Sequence, residues 1–162
     1  MNPPIVPYCY YLLCVQKHLS AQLTNLRMSL TAYITEGDEC SLLNNSREYL
    51  IEIAPLVFRA IDPAILEFCS KTGSHIDLYD ADVVPLKHLP GLEMVLQDCY
   101  KKIEEGSSTV EVDLGTIRQA DGSYTPRVES IAKVELLEGI ECLLKLVSLA
   151  ITKQRSVMFA GD

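Results

Sequence analysis

The apolar stretch over residues 125–151 constrains the fold more than any other part of the sequence. Its leucine, isoleucine and valine residues recur at steps of three and four, the spacing of one face of an α-helix. Thr125 can cap such a helix, and Pro126 then occupies the first helical position, where its missing N–H costs nothing. We therefore predict a long, largely buried helix over residues 125–151. Its uncharged run after Lys145 is far shorter than the roughly 20 apolar residues of a membrane span, so we expect no membrane partner.

Length and composition indicate one domain, residues 1–162, with a core that requires neither metal nor disulfide. The chain has 162 residues, of which 48% are hydrophobic. It carries 14 Lys and Arg against 22 Asp and Glu, a formal charge of −8. Such acidity disfavours nucleic acid and favours basic partners, because phosphates repel it. The alternative is that the charge only keeps a cytosolic protein soluble.

The cysteines indicate a reducing compartment. Six are present without a CxxC pair, and Cys69, Cys99 and Cys142 lie among apolar residues of predicted helices, where free thiols pack as small hydrophobes. The N-terminus offers no basic residue before Lys17, so it does not resemble a secretory signal. We therefore expect a cytoplasmic protein.

Leucines that recur every seven residues predict a first helix over residues 8–35, after an extended, proline-containing lead-in over residues 1–7. The seam of this helix consists of Leu12, Leu19, Leu26 and Tyr33. Such a seam can form a coiled-coil dimer or pack inside a bundle. We favour packing within the chain, and hence a monomer, although the sequence leaves the oligomeric state open.

Three further helices follow from the same periodicity. One is predicted over residues 46–61, with a kink or break caused by Pro55. A short one starts at Pro63, reaches about Lys71 and stops at Gly73. Another covers roughly residues 91–105.

Two stretches lack a helical rhythm. Residues 74–91 contain two prolines and several carboxylates, which predict a long acidic loop. Val110, Val112 and Leu114 alternate with acidic residues, which is typical of a strand and predicts a hairpin over roughly residues 108–124. The predicted fold is therefore mainly α, a single-domain bundle of about five helices with a small β-hairpin before the last long helix.

No motif in the sequence indicates catalysis. The three histidines show no metal-ligand spacing, and no nucleophile elbow or phosphate-binding loop occurs. Asp77, Asp80 and Asp82 could gather around a hard cation, but they lack the glycine and the final glutamate of an EF-hand loop. We predict a protein that is not an enzyme and has no cofactor and no metal.

Acidic residues interleaved with tyrosines form the candidate partner-binding surface. Carboxylates can stand where phosphates would bind in a basic cleft, and the rings supply buried anchor area. The alternative is that these residues lie on ordinary solvated loops. The predicted binding residues are Glu36, Asp38, Glu39, Asp77, Tyr79, Asp80, Asp82, Glu111, Asp113 and Tyr124.

In size, acidity, cytoplasmic character and lack of a catalytic motif, the chain resembles the small acidic immunity proteins that bacteria make against their own nuclease toxins. The resemblance implies an inhibitor that binds and occludes a cognate basic toxin. No residue signature accompanies it, so it assigns no site residues. Two alternatives remain: a helical adaptor or self-associating structural protein that uses the seam of residues 12–33, and an unrecognised enzyme at the acidic loop beside His75.

Overall fold

The computed structural model describes residues 29–35 and 48–161. The described chain contains, in order, β1 (Leu30–Thr35), β2 (Glu48–Ile53), α1 (Pro55–Thr72), β3 (Ala81–Val84), a 3₁₀ turn (Leu86–His88), α2 (Leu89–Glu104), β4 (Thr109–Arg118), β5 (Tyr124–Ala132), α3 (Lys133–Lys153) and β6 (Ser156–Gly161). It is a mixed α/β fold, with three α-helices and two antiparallel sheets in the described residues. The prediction of a five-helix bundle is therefore wrong.

The larger sheet has four strands in the order β2-β1-β6-β3, and all its neighbouring strands are antiparallel. The last strand, β6, lies between β1 and β3 and pairs with β1 from Leu30 opposite Gly161 to Thr35 opposite Ser156. Because side chains alternate between the two faces of a strand, Val157 and Phe159 point to the main core. The end of the described chain therefore completes the centre of the sheet.

The helices and one face of this sheet share the main hydrophobic core. Helix α3 supplies its largest apolar set, as the periodicity of residues 133–151 predicts, and Gly139 lets it approach α1 closely. A Cβ atom at Gly139 would lie 2.8 Å from Val57 Cγ1. The core residues of α3 are Leu136, Ile140, Leu143, Leu146, Val147 and Ala150.

The C-terminal end of the predicted first helix, residues 30–35, is strand β1, so the prediction is wrong there. Leu30 and Tyr33 lie on a β-strand. Tyr33 is buried with Val83 and Met158 on the other face of the sheet, and its hydroxyl donates a hydrogen bond to the Met158 sulfur. Residues 1–28 lie outside the described residues, and with them the lead-in and the rest of the seam.

Pro55 begins a helix and does not break one. The residue before it, Ala54, has φ −59° and ψ 139°, as expected because proline disfavours the helical region for its predecessor. Residues 48–53, predicted as helix, instead pair with β1. Helix α1 then continues through Pro63, and it ends as predicted at Gly73, which has φ 75° and donates its N–H to Cys69 O at 2.9 Å.

The predicted hairpin exists, but its second strand is longer than predicted. Thr125 and Pro126, predicted to start the last helix, lie in β5, and α3 begins only at Lys133. Lys133 N donates to Ser108 O, and its Nζ donates to Glu104 O and Gly106 O at the end of α2. These bonds join the base of the hairpin to two helices.

The stretch predicted as a long loop, residues 74–91, is more ordered than expected. Ala81–Val84 forms the edge strand β3, and α2 starts at Leu89 with Pro90 in its first turn, so only residues 74–80 connect α1 to the sheet without regular structure. The predicted helix over residues 91–105 corresponds to α2. Among the described helices, none has the length and apolar character needed to cross a bilayer.

Candidate functional site

The loop of residues 74–80 is shaped by its own carboxylates. Asp77 Oδ1 accepts the backbone N–H groups of Tyr79 at 2.6 Å and Asp80 at 2.9 Å. His75 Nε2 lies 2.5 Å from the other oxygen of Asp77. Short acidic side chains that accept nearby backbone donors stabilise turns of this kind. Asp77 therefore fixes the position of the Tyr79 backbone.

The other two predicted carboxylates of this segment also bind the backbone. Asp80 Oδ1 accepts from Ala81 N at 2.8 Å, and Asp82 Oδ2 accepts from His75 N at 2.8 Å. Asp77 and Asp82 are half-buried, whereas the sequence predicts them exposed. No group of three or more His, Cys, Asp or Glu in the described part of the chain could hold a metal ion. These carboxylates form hydrogen bonds that shape the loop.

The hydrogen bonds of Asp77 also affect its ionisation. Partial burial raises its pKa, but the N–H of Tyr79, His75 and the N–H of Asp80 together outweigh burial and lower the pKa below its usual value. Nearby, partial burial raises the pKa of Asp62 despite its ion pair with Arg59. The pKa of Asp77 is thus below the ordinary value of an aspartate, and the pKa of the neighbouring Asp62 is above it.

Strand β6 holds the loop against the sheet. Gly161 N donates to Asp80 O at 2.9 Å. A Cβ atom at Gly161 would lie 2.3 Å from the carbonyl carbon of Leu78, closer than any van der Waals contact permits. Only glycine allows the two backbones to approach this closely, and Leu78 is buried beneath them.

The hairpin β4–β5 carries a second predicted group on a single face. Val112 and Ile131 are buried on its inner face, so the alternate residues, including Glu111, point outward. A bulge at Gly115, with φ 91°, adds one residue to β4. We call the outward residues the outer hairpin face: Glu111, Asp113, Thr116 and Arg118 on β4, and Tyr124, Pro126, Val128 and Ser130 on β5.

Large side chains on the outer hairpin face are exposed to an unusual degree. Tyr124 is 66% exposed and Val128 is 52% exposed. The carboxylate of Glu111 has no hydrogen-bond or ion-pair partner among the described residues, whereas Asp113 Oδ1 accepts the N–H of Gly115 at 2.8 Å. The face therefore combines exposed apolar area with at least one carboxylate that is available to a partner.

A pocket lies between the loop of residues 74–80 and the inner face of the hairpin. It has a volume of about 120 Å³. The start of α1, the loop and the two strands of the hairpin all contribute to its wall, and Tyr79, 64% exposed, forms part of it. The pocket is lined by Pro55, Leu56, Arg59, Leu78, Tyr79, Leu114 and Arg127.

Ion pairs hold the two arginines of this pocket. Arg127 Nε and NH2 donate to Glu129 Oε1 at 3.0 and 2.5 Å, and Arg59 NH1 lies 3.4 Å from Asp62 Oδ2. The sequence prediction missed both arginines. The alternation of residues 127–131 could have placed Arg127 on the same face as Ile131, but Pro126 was assigned to a helix.

The structure places the loop group next to the inner face of the hairpin, whereas Glu111 and Asp113 lie on the outer hairpin face. Tyr79 from the loop shares the pocket with Leu114, which follows Asp113 of the hairpin. The third group, Glu36, Asp38 and Glu39, lies outside the described residues. Comparison of the chain with protein-family models, with curated proteins and with solved structures gives no match.

Proposed function

We propose that the protein is a non-catalytic binding protein that docks a basic protein partner through the hairpin β4–β5. In its specific form, it is an immunity-type inhibitor that binds and occludes a cognate basic toxin of the nuclease class in the bacterial cytoplasm. The observation that carries the proposal is the outer hairpin face, where Asp113 lies opposite the exposed Val128 and Glu111 lies opposite Ser130. The exposed Tyr124 lies further along the same face, opposite Arg118.

The shape of the hairpin suits occlusion. Strand β4 has 10 residues, so it extends about 33 Å at the usual rise per residue. Every residue from Gly115 to Pro126 is exposed. A cleft that normally binds the phosphates of a nucleic acid can bind a two-stranded ribbon, with carboxylates in the place of phosphates. The partner would then contact both faces of the hairpin.

Charge and apolar area have different roles in this mechanism. Carboxylates on the hairpin, together with the net charge of −8, accelerate the encounter with a basic partner. Tyr124 and Val128 then supply the area that is buried in the complex, which slows dissociation. A cytoplasmic location is part of the proposal and is supported by the half-buried free thiols Cys69, Cys99 and Cys142.

The direct experiment uses the product of the gene immediately upstream, where a toxin and its immunity protein are encoded together. Isothermal titration calorimetry of the two purified proteins should give a one-to-one complex with submicromolar affinity. The complex should block the toxin's activity in proportion to occupancy. Absence of a complex at micromolar concentration would sink the proposal.

The two alternatives stay predictions. In the adaptor hypothesis, the seam of residues 12–33 would end before Tyr33, which is buried in β1. In the enzyme hypothesis, Asp77, Asp80 and Asp82 would react while each accepts backbone hydrogen bonds through one oxygen. Neither has a described site comparable to the outer hairpin face.

A further inference from the structure

We infer that the pocket between the loop and the hairpin is a binding site for one aromatic side chain, presented by the protein partner. This inference rests on the proposed function for the origin of the side chain. The pocket itself is a property of the chain alone and can be tested without the partner.

The size of the pocket selects a single ring. Its volume is about 120 Å³, close to the roughly 150 Å³ of an engineered apolar cavity that accommodates benzene. Leu56, Leu78 and Leu114 supply apolar wall, and Leu78 is only 2% exposed. A buried aromatic residue in such a pocket is the typical energetic centre of a protein interface.

The electrostatics of the wall favour a neutral ring over an anion. Arg59 and Arg127 line the pocket, and the guanidinium group of each already pairs with a carboxylate, Asp62 or Glu129. A carboxylate or phosphate would therefore meet cations that are largely neutralised. The negative face of an aromatic ring is attracted to a guanidinium without replacing its ion pair.

The pocket is preorganised for stacking. Tyr79, which lines the pocket, is 64% exposed. Its backbone is fixed by Asp77, and Gly161 holds the neighbouring Leu78 close to β6. Two aromatic rings gain from offset or edge-to-face contact beyond the area that they bury. Little of the binding free energy is then lost in ordering the loop.

The test uses p-cresol, which has the ring and hydroxyl of a tyrosine side chain, and the ¹⁵N-labelled full-length protein. Titration should shift the amide resonances of Leu78, Tyr79 and Leu114 saturably, with a dissociation constant in roughly the millimolar range for so small a ligand. Acetate, as the anionic probe, should leave them unchanged at the same concentrations.

Two variants locate the ligand. Leu114→Phe fills the pocket and should weaken p-cresol binding at least tenfold. Arg127→Gln removes a cation from the wall with little change in volume and should weaken it about threefold to tenfold. Val134→Ser, at an exposed position of helix α3 outside the pocket lining, is the matched control and should bind p-cresol as wild type does. If Leu114→Phe fails to fold, Arg127→Gln alone decides.

The outcomes separate this inference from the proposed function. Absence of saturable shifts with p-cresol, or equal shifts with acetate, would overturn the pocket assignment whatever the partner. If p-cresol binds and the toxin complex is weakened at least tenfold by Leu114→Phe, the inference is supported. If the complex forms with unchanged affinity in that variant and in Arg127→Gln, the side-chain assignment is wrong and the proposed function stands. If p-cresol binds but no basic partner forms a complex, the proposed function fails and only the aromatic site remains.

Discussion

Replacement of Gly161 by alanine should destabilise the protein and displace the loop that carries Tyr79. The new Cβ atom would lie 2.3 Å from Leu78 C and 2.4 Å from Leu78 O. Ordinary contact begins near 3.4 Å, so the two backbones must separate by about 1 Å. That movement strains or breaks the 2.9 Å hydrogen bond from Gly161 N to Asp80 O.

The expected cost follows from two contributions. Loss of the hydrogen bond costs about 1 kcal/mol, and overpacking against the Leu78 backbone costs about 1–3 kcal/mol, so unfolding should become easier by about 2–4 kcal/mol. For a chain of this length, that corresponds to a fall in Tm of about 4–16 °C. Urea unfolding followed by circular dichroism measures the free energy, and thermal unfolding measures Tm.

Gly91→Ala is the matched control for this substitution. Its Cβ would lie 3.5 Å from Phe68 Cε2, an ordinary contact, and Gly91 lies inside helix α2. Alanine in a helix is favoured over glycine, so this variant should be as stable as wild type or more stable by up to about 1 kcal/mol. If Gly161→Ala unfolds at the same urea concentration as wild type, the close contact between β6 and the loop is refuted.

Three further predictions concern other parts of the structure. Gly139→Ala should cost about 1–3 kcal/mol by urea unfolding, because its Cβ would lie 2.8 Å from Val57 Cγ1; in a Val57→Ala background the same change should be nearly neutral, and an equal cost there would contradict the packing of α1 on α3. Because the pKa of Asp77 is lowered in the folded state, its stabilising contribution is present above about pH 4 and is lost as the pH falls further. A pH series of urea unfolding should therefore show a shallower acid loss for Asp77→Asn than for wild type, and identical acid limbs would exclude this contribution. Tyr124→Ser should leave the unfolding free energy within about 0.5 kcal/mol of wild type, because Tyr124 is 66% exposed; a larger loss would mean that the ring packs against the body of the protein.

The sequence predicted elements whose evidence is local. The predicted end of α1 at Gly73 is confirmed. A glycine with positive φ ends a helix through local backbone geometry and requires no distant contact. Helix α2 is confirmed because its apolar residues repeat over several turns. The first strand of the hairpin follows from the strict alternation around Val112.

The strands of the larger sheet depend on contacts that no local pattern contains. Strand β1 pairs with β6 more than a hundred residues later in the chain, and such short segments acquire their structure from their neighbours. In β2, Leu50 and Ile53 are three residues apart, a spacing that fits one face of a helix. In the strand, Ile53 is buried and Leu50 is exposed, so the pair is not one apolar face. The prediction therefore overestimated the helical content.

The start of α3 shows how tertiary structure overrides a local signal. Thr125 and Pro126 fit a helix start, but Pro126 can equally lie in a two-stranded ribbon, where its missing N–H is tolerated at an edge. This single error hid the length of β5, the outward position of Val128 and the role of Arg127 in the pocket. The sequence identified the acidic residues of the loop, but it could not show that Asp77 accepts hydrogen bonds from the loop backbone.

The affinity of the Glu111→Lys variant for the upstream gene product tests the central claim most directly. Asp98→Lys is the matched control, because it changes the net charge equally at an exposed position on helix α2. Calorimetry should show submicromolar binding by wild type and by Asp98→Lys, and binding at least tenfold weaker by Glu111→Lys. Equal affinities for the two lysine variants would contradict docking through the outer hairpin face.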